Sequence, residues 1–341
     1  MKLILNPDEI VVAANVLKSG HVIAIPTETV YGLAADITQE QALRQIFALK
    51  HRPTEHPLII HIAKDMNLSD YAVNIPDYVQ ALTKAFWPGP LTLILEKSNK
   101  VSYWVTGGQD TVGIRMPNHP VALALIEQVG APLAAPSANQ FGKVSPTSSQ
   151  HVLDEFGTSV RVLEGGECMV GIESTILDAT EPTQCRILRP GMITIEDIQK
   201  VVGDRVLVTV GSKQSPQVSG SLKYHYEPSK PTYLYENEQE LAFLQALYSA
   251  ELCILAQATN TNESVECLQW IQMPTTVEQY AQKLYESLRR ADQSSCQAIA
   301  IQAPSRAVLW NGIWDRLLKS TAKSQHHLKE MNHAMMADIP S

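Results

Sequence analysis

The stretch from Ile25 to Ile62, IPTETVYGLAADITQEQALRQIFALKHRPTEHPLIIHI, constrains this chain more than any other. The apolar run HVIAIP reads as a strand that ends in a turn of hydroxyls and glycine, Pro26 to Gly32; helical spacing follows, then a second apolar run, LIIHI, carrying His61. Thr38 with Gln41 forms a capping box, Ala42, Leu43, Ile46, Phe47 and Leu49 share one face, and Pro53 ends the helix because its ring cannot continue it. Lys50 and Arg52 are thereby delivered at the helix end. Two cations, an imidazole, several hydroxyls and glycine-permitted backbone on two strands and one helix make a pocket for a small polyanion. A plainer reading stays open: cations near a helix C-terminus complement its dipole by about 0.3–1 kcal/mol, and a lone histidine in an apolar strand is commonly a core residue.

At 341 residues the chain suits two domains. Hydrophobic residues make up 45% and charged residues 18%, and no run approaches the roughly 20 apolar residues a membrane span needs. The start, MKLILNPDEI, places a proline and two acids early, which argues against a secretory signal and for a cytoplasmic address. Cys168, Cys185, Cys253, Cys267 and Cys296 are odd in number and lack a C-x-x-C pair, so reduced, mostly buried thiols are expected rather than disulfides or zinc. A net charge of −8 and a pI near 5.7 disfavour a broad phosphate-backbone surface and a stable nucleic-acid complex.

Along the chain, Ile10, Val11, Ala14 and Leu17 predict a first helix stopped by Gly20, and Asp77 to Phe86 a short one before the strand LTLILE. TVGIRMP is a strand carrying Arg115, and Pro120 opens the helix VALALIEQVG. APLAAPSANQFGKVSPT turns abruptly polar after Pro136, placing Ser137 and Asn139 at a strand end, where ligands are often met in α/β sheets; turn-forming Ser and Asn are the alternative. Ser137 lacks a G-x-S-x-G elbow, which weakens a nucleophile role. Ser174 and Thr175 interrupt an apolar strand, RILRPG ends in Arg189, and Thr194 with Asp197 caps IEDIQKVVG. Residues 1–211 form a first domain. Residues 212–230, rich in Ser, Pro and Lys, read as a linker that carries Tyr224, His225 and Tyr226. A small α/β domain spans 231–320, with a capping box at Thr275 and Glu278 opening its long helix, and 321–341, with His326, His327 and His333, reads as a disordered tail.

PTETVYGLAAD, the K-x-R of Lys50 and Arg52, HPLIIHI, WPGPLT, TVGIRMP, APSAN, GIESTILD, LRPG, HYEP and EQYAQKLYESLRRAD occur in one order. In that ordered set the chain resembles the long, two-domain threonylcarbamoyl-AMP synthases over nearly its whole length. The resemblance implies an α/β fold: an open, twisted YrdC-like domain with a concave basic cavity, linked to a second, smaller Rossmann-like domain. It also implies condensation of L-threonine, bicarbonate and ATP, with Mg²⁺ held mainly by the ATP phosphates and not by protein side chains. A threonylcarbamoyl-transferase complex that modifies tRNA would take the product.

Carried over residue by residue, the resemblance makes Lys50, Arg52, Ser137 and Asn139 the central catalytic tetrad, which also binds ATP. His56, Thr111, Ser145, Arg189 and Tyr226 would contact the nucleotide, Tyr226 from the linker as a lid. Thr29, Tyr31, His61, Arg115, Ala135 and Ser174 would hold threonine, with Arg115 on its carboxylate. His56 stands where the family commonly has Asn, and Glu227 replaces the small residue of HYAP. Neither G-x-x-x-x-G-K-[ST] nor G-x-G-x-x-G occurs, so the usual ATPase and dinucleotide readings lose their support. The rival is a double-stranded RNA or nucleotide-binding module without catalysis. A carbamoyl-transfer factor of hydrogenase maturation would bring zinc-finger cysteines and an acylphosphatase-like region, and the sequence has neither.

Overall fold

Apolar runs flanked by amphipathic helices produce an α/β protein. A computed structural model describes residues 2–211, 215–220, 222, 224–257 and 269–337, without the side chains of 250 and 326–337. The chain divides into two units, Met1–Phe141 with Ser145–Ser221, and Gly142–Val144 with Leu222–Ser341. The main division thus falls inside the stretch expected to be a linker. No local pattern sets Gly142–Val144 apart, yet these residues group with the later ones.

The first unit is built on a 12-stranded mixed sheet. At its middle lie, in spatial order, Gly32–Asp36, Leu133–Ala134, Ile59–His61, Thr111–Arg115, Leu91–Lys97 and Thr175–Glu181. Leu91 to Leu95 are all buried, as expected of a strand covered on both faces. One face packs Leu43, Ile46, Phe47 and Leu82; the other packs Ala14, Leu17, Leu125 and Ile126. Ile59–His61 runs parallel to Thr111–Arg115 with His61 opposite Arg115.

Several local expectations are corrected. The helix Glu40–Lys50 has Gln39 at its N-cap, and Thr38 does not cap it. The Asp36 carboxylate instead accepts from both the Thr38 backbone N–H and its hydroxyl at 2.8 Å, a charged acceptor outcompeting a neutral amide. Val11 faces solvent at 56% exposure, because the first helix, Ile10–Lys18, buries only the narrow face of Ala13, Ala14 and Leu17. Ser174 precedes the strand Thr175–Glu181 and does not interrupt it. The Thr194–Asp197 capping box is present.

The second unit carries a four-stranded sheet, Thr232–Tyr235, Ala298–Gln302, Leu252–Ala256 and Gln269–Gln272, in which every pairing is parallel. The last of these strands was missed, because QWIQ is too short and too polar to stand out. The helix Val277–Gln293 buries Tyr280, Leu284 and Leu288, but its N-cap is Thr276 and no Thr275–Glu278 box forms. Of the residues expected as a disordered tail, 321–337 continue the helix Asn311–Ala337, and 338–341 lie outside the described residues. Leu, Lys, Glu, Met and Ala, all strong helix formers, make up most of 321–337, and that stretch contains neither Gly nor Pro. Cys168, Cys185, Cys253 and Cys296 are buried, while Cys267 lies outside the described residues. No helix among the described residues is long and apolar enough to cross a membrane.

Candidate active site

The helix Glu40–Lys50 stops because His51 adopts a left-handed conformation (φ 51°) and the backbone N–H of Arg52 turns back to the Phe47 carbonyl at 3.0 Å. This brings Lys50 against the segment that follows strand Leu133–Ala134. The Lys50 ammonium donates to the Ser137 carbonyl at 2.5 Å and also to the Asn139 carbonyl, and the Phe141 N–H returns a bond to the Lys50 carbonyl at 2.9 Å. Lys50 is 1% exposed. Burial and then the neighbouring Arg52 charge pull its pKa well below the usual lysine value, and Glu155 opposes them. Arg52 donates to the Pro57 carbonyl at 2.9 Å and lies over the Phe141 ring.

The turn after the strand Ile23–Ile25 joins this corner to a second one. Gly32 forms a bridge with Ser137, and a Cβ there would lie 3.0 Å from that of Ala135, so glycine permits the approach. The Ala138 N–H donates to the Tyr31 carbonyl at 2.8 Å. On the other side of the turn, Thr29 accepts from Arg115 Nη1 at 2.9 Å. Arg115 also pairs with Glu28 at 2.6 Å, and neither side chain reaches solvent appreciably. His61, buried beside Arg115, has its pKa lowered to about 3 by burial first and by Arg115 second, so it is a neutral imidazole at physiological pH.

A third corner collects Arg189, Ser174 and Ser145. Arg189 donates to the Ser174 carbonyl from Nε at 3.2 Å and from Nη2 at 3.0 Å, and to the Ser219 carbonyl at 3.0 Å. Ser174 Oγ pairs with Thr92 Oγ1 at 2.7 Å. Ser145 donates to the buried Glu173 carboxylate at 2.6 Å. Thr111 borders Gln217, Val218 and Ser219 in a small, partly open pocket. His56 contacts Gln217 at 3.2 Å and packs edge-on against Phe141; burial and Arg52 lower its pKa.

Lys50, Ser137 and Asn139 are thus brought together, with Arg52 beside them; Thr29, His61 and Arg115 form a second group, and His56, Thr111, Arg189, Ser174 and Ser145 the borders of a third. Ala135 lies at the seam of the first two. Tyr31 is placed otherwise: its hydroxyl donates to the Gly166 carbonyl at 2.9 Å and to Glu164 at 3.2 Å, not toward Arg115. Tyr226 belongs to the second unit, stacked on Tyr285 at 5.8 Å. Sequence reasoning missed two buried carboxylates, Glu28 and Glu173. Each stands next to a hydroxyl residue that was singled out, and an acid inside an otherwise apolar and hydroxyl run was the available signal.

A family model described as "Telomere recombination" matches residues 15–191, and one described as "Threonylcarbamoyl-AMP synthase, C-terminal domain" matches residues 193–322. The threonylcarbamoyl-AMP synthase of Pyrococcus abyssi is 38% identical over 322 residues, covering 91% of this chain and 93% of that protein. This chain belongs to the threonylcarbamoyl-AMP synthase family. The family member of Bacillus subtilis is 36% identical, covering 92% of this chain and 93% of its own. The crystal structure of P. abyssi Sua5 complexed with L-threonine matches with a TM-score of 0.84 at 34% identity, over 95% of this chain and 99% of that one. The mixed sheet with a smaller parallel α/β unit is therefore this family's two-domain architecture.

Proposed function

We propose that the chain is an L-threonylcarbamoyladenylate synthase, a nucleotidyltransferase that makes threonylcarbamoyl-AMP for threonylcarbamoyl-adenosine formation in tRNA. Threonine's amine bonds to the bicarbonate carbon with loss of water, giving a carbamate. A carbamate oxygen then attacks the α-phosphorus of ATP, and the bond to the β-phosphate bridge breaks to release pyrophosphate. Two anions must be forced together in that step, so fixed positive charge is the main requirement and no covalent nucleophile is needed.

The observation that carries this reading is the placement of buried cations on both sides of one turn, Lys50 with Arg52 behind Gly32 and Arg115 behind Thr29. Lys50, Arg52, Ser137 and Asn139 would surround the triphosphate and carbamoyl group, and His56, Thr111, Ser145 and Arg189 would border the nucleotide. Thr29, His61, Arg115, Ala135 and Ser174 would take threonine. Mg²⁺ would enter on the phosphate oxygens. A threonylcarbamoyl-transferase complex would receive the product in the cytoplasm.

Charge-assisted contacts are worth about 1.5–3 kcal/mol each, so loss of one phosphate-binding cation should cost about tenfold or more in rate. Threonine-dependent release of pyrophosphate from ATP tests the reading. Its absence, with tight and salt-sensitive binding of double-stranded RNA, would favour a binding module instead.

A further inference from the structure

Arg115 is engaged on both sides. Its Nη1 donates to Thr29, and its Nη2 lies 2.6 Å from Glu28 Oε2. Glu28 is 4% exposed, and Arg115 is its one ion-pair partner among the described residues. Neither Glu28 oxygen is satisfied by a hydrogen bond of good geometry, and Arg115 Nε and His61 Nδ1 are likewise buried without one. Two other groups near Glu28 bring no fixed charge: burial lowers the pKa of His119, whose Nε2 is within 3.2 Å of the Gly165 carbonyl, and burial raises that of the Cys168 thiol.

A buried carboxylate is costly to keep, and replacing a buried ion pair with well-packed apolar residues often stabilises a protein. Stability alone therefore gives no reason for an acid here. An unsatisfied carboxylate and an unsatisfied guanidinium N–H side by side are, however, complementary to the two charges of one molecule, the ammonium and carboxylate that flank the α-carbon of a free amino acid.

We propose that Glu28 is a specificity residue that receives the α-ammonium of the amino-acid substrate while Arg115 receives its carboxylate. The assignment rests on the reading of this corner as the threonine site. In the unliganded protein Glu28 balances the Arg115 charge and fixes its fork. With the zwitterion bound, each protein charge faces the opposite substrate charge, so net-neutral amino acids are accepted and plain carboxylates are repelled by Glu28.

Calorimetric titration with L-threonine and with (R)-3-hydroxybutanoate, which keeps the carboxylate and hydroxyl but lacks the amine, tests this. The unsubstituted protein should bind threonine at least tenfold more tightly than the hydroxybutanoate. Glu28→Gln should weaken threonine at least tenfold while leaving the hydroxybutanoate within threefold or tightening it. Glu28→Asp, which keeps the charge, should retain the preference at reduced affinity. Equal weakening of both ligands by Glu28→Gln, which a purely structural role would give, overturns the proposal, and so does an unsubstituted protein that binds both equally, a result that needs no variant to fold. Failure of the unsubstituted protein to bind threonine at all would instead overturn the reading of the corner as a threonine site.

Discussion

Lys50 holds the Ser137 carbonyl at 2.5 Å, so the end of one helix and the turn beyond a strand are fixed to each other by a single buried ammonium. The same ammonium donates to the Asn139 carbonyl. Lys50 therefore shapes the corner as well as charging it. Lys50→Met would leave both carbonyls without their donor, at about 1–3 kcal/mol each. Urea denaturation should show a loss of about 2–5 kcal/mol in stability together with loss of pyrophosphate release; an unchanged midpoint would show that the clamp contributes nothing.

The pairing of Glu28 with Arg115 predicts a non-additive pattern. Arg115→Met alone strands a buried carboxylate and should cost about 3–5 kcal/mol, whereas Glu28→Leu combined with Arg115→Met should cost less than that single change. A double-mutant cycle by chemical denaturation reads the coupling. Additive losses would mean that the two charges do not sense each other.

How far such relationships are visible in the sequence depends on their range. The helix before Lys50, the strand ending in Arg115 and the Thr194–Asp197 box follow from period and capping, because neighbours along the chain decide them. What Lys50 touches is decided 87 residues away, and no local pattern announces that its partners are carbonyls rather than phosphates. Glu28 went unnoticed between two threonines for the same reason, since its importance comes from Arg115 on a distant strand. Tyr31 was expected to line the threonine wall from resemblance alone, and its hydroxyl is committed to the loop at Gly166. The Thr38 cap failed because Asp36, two residues earlier, offers the stronger acceptor.

His61 makes the fold pH-sensitive on the acid side. Its folded pKa, about 3, lies below its ordinary value of 6.5, so the unfolded chain takes up the proton first. The stabilising contribution is complete above pH 6.5 and is lost as pH falls toward 3. The stability of the unsubstituted protein should therefore fall faster than that of His61→Gln between neutral and mildly acidic pH, with a slope difference of up to about 1.4 kcal/mol per pH unit. Parallel curves from urea midpoints would remove His61 as the cause.

Substrate choice should follow hydrogen bonding. A site whose hydroxyls and imidazole meet a substrate hydroxyl rejects the analogue lacking it far more strongly than an apolar pocket rejects an added one. Serine should be used in place of threonine with a modest loss in kcat/KM, and alanine poorly. If alanine matched serine, Thr29 and His61 would not be reading the hydroxyl.

Gly191 supports the third corner by its lack of a side chain, since a Cβ there would fall 2.5 Å from the Thr175 nitrogen and 2.9 Å from the Glu173 carbonyl oxygen. Gly191→Ala should cost about 1–3 kcal/mol through forced displacement of this strand start. A thermal melt at the parent temperature would show that the backbone yields freely.

The most direct test is to incubate the protein with ATP, Mg²⁺, carbon-labelled bicarbonate and nitrogen-labelled threonine and to identify the products by mass spectrometry. The account predicts an adenylate that carries both labels, formed with one pyrophosphate per molecule, and at least tenfold less of it from Arg52→Ala. An adenylate without the bicarbonate carbon, no adenylate at all, or full activity in Arg52→Ala would contradict it.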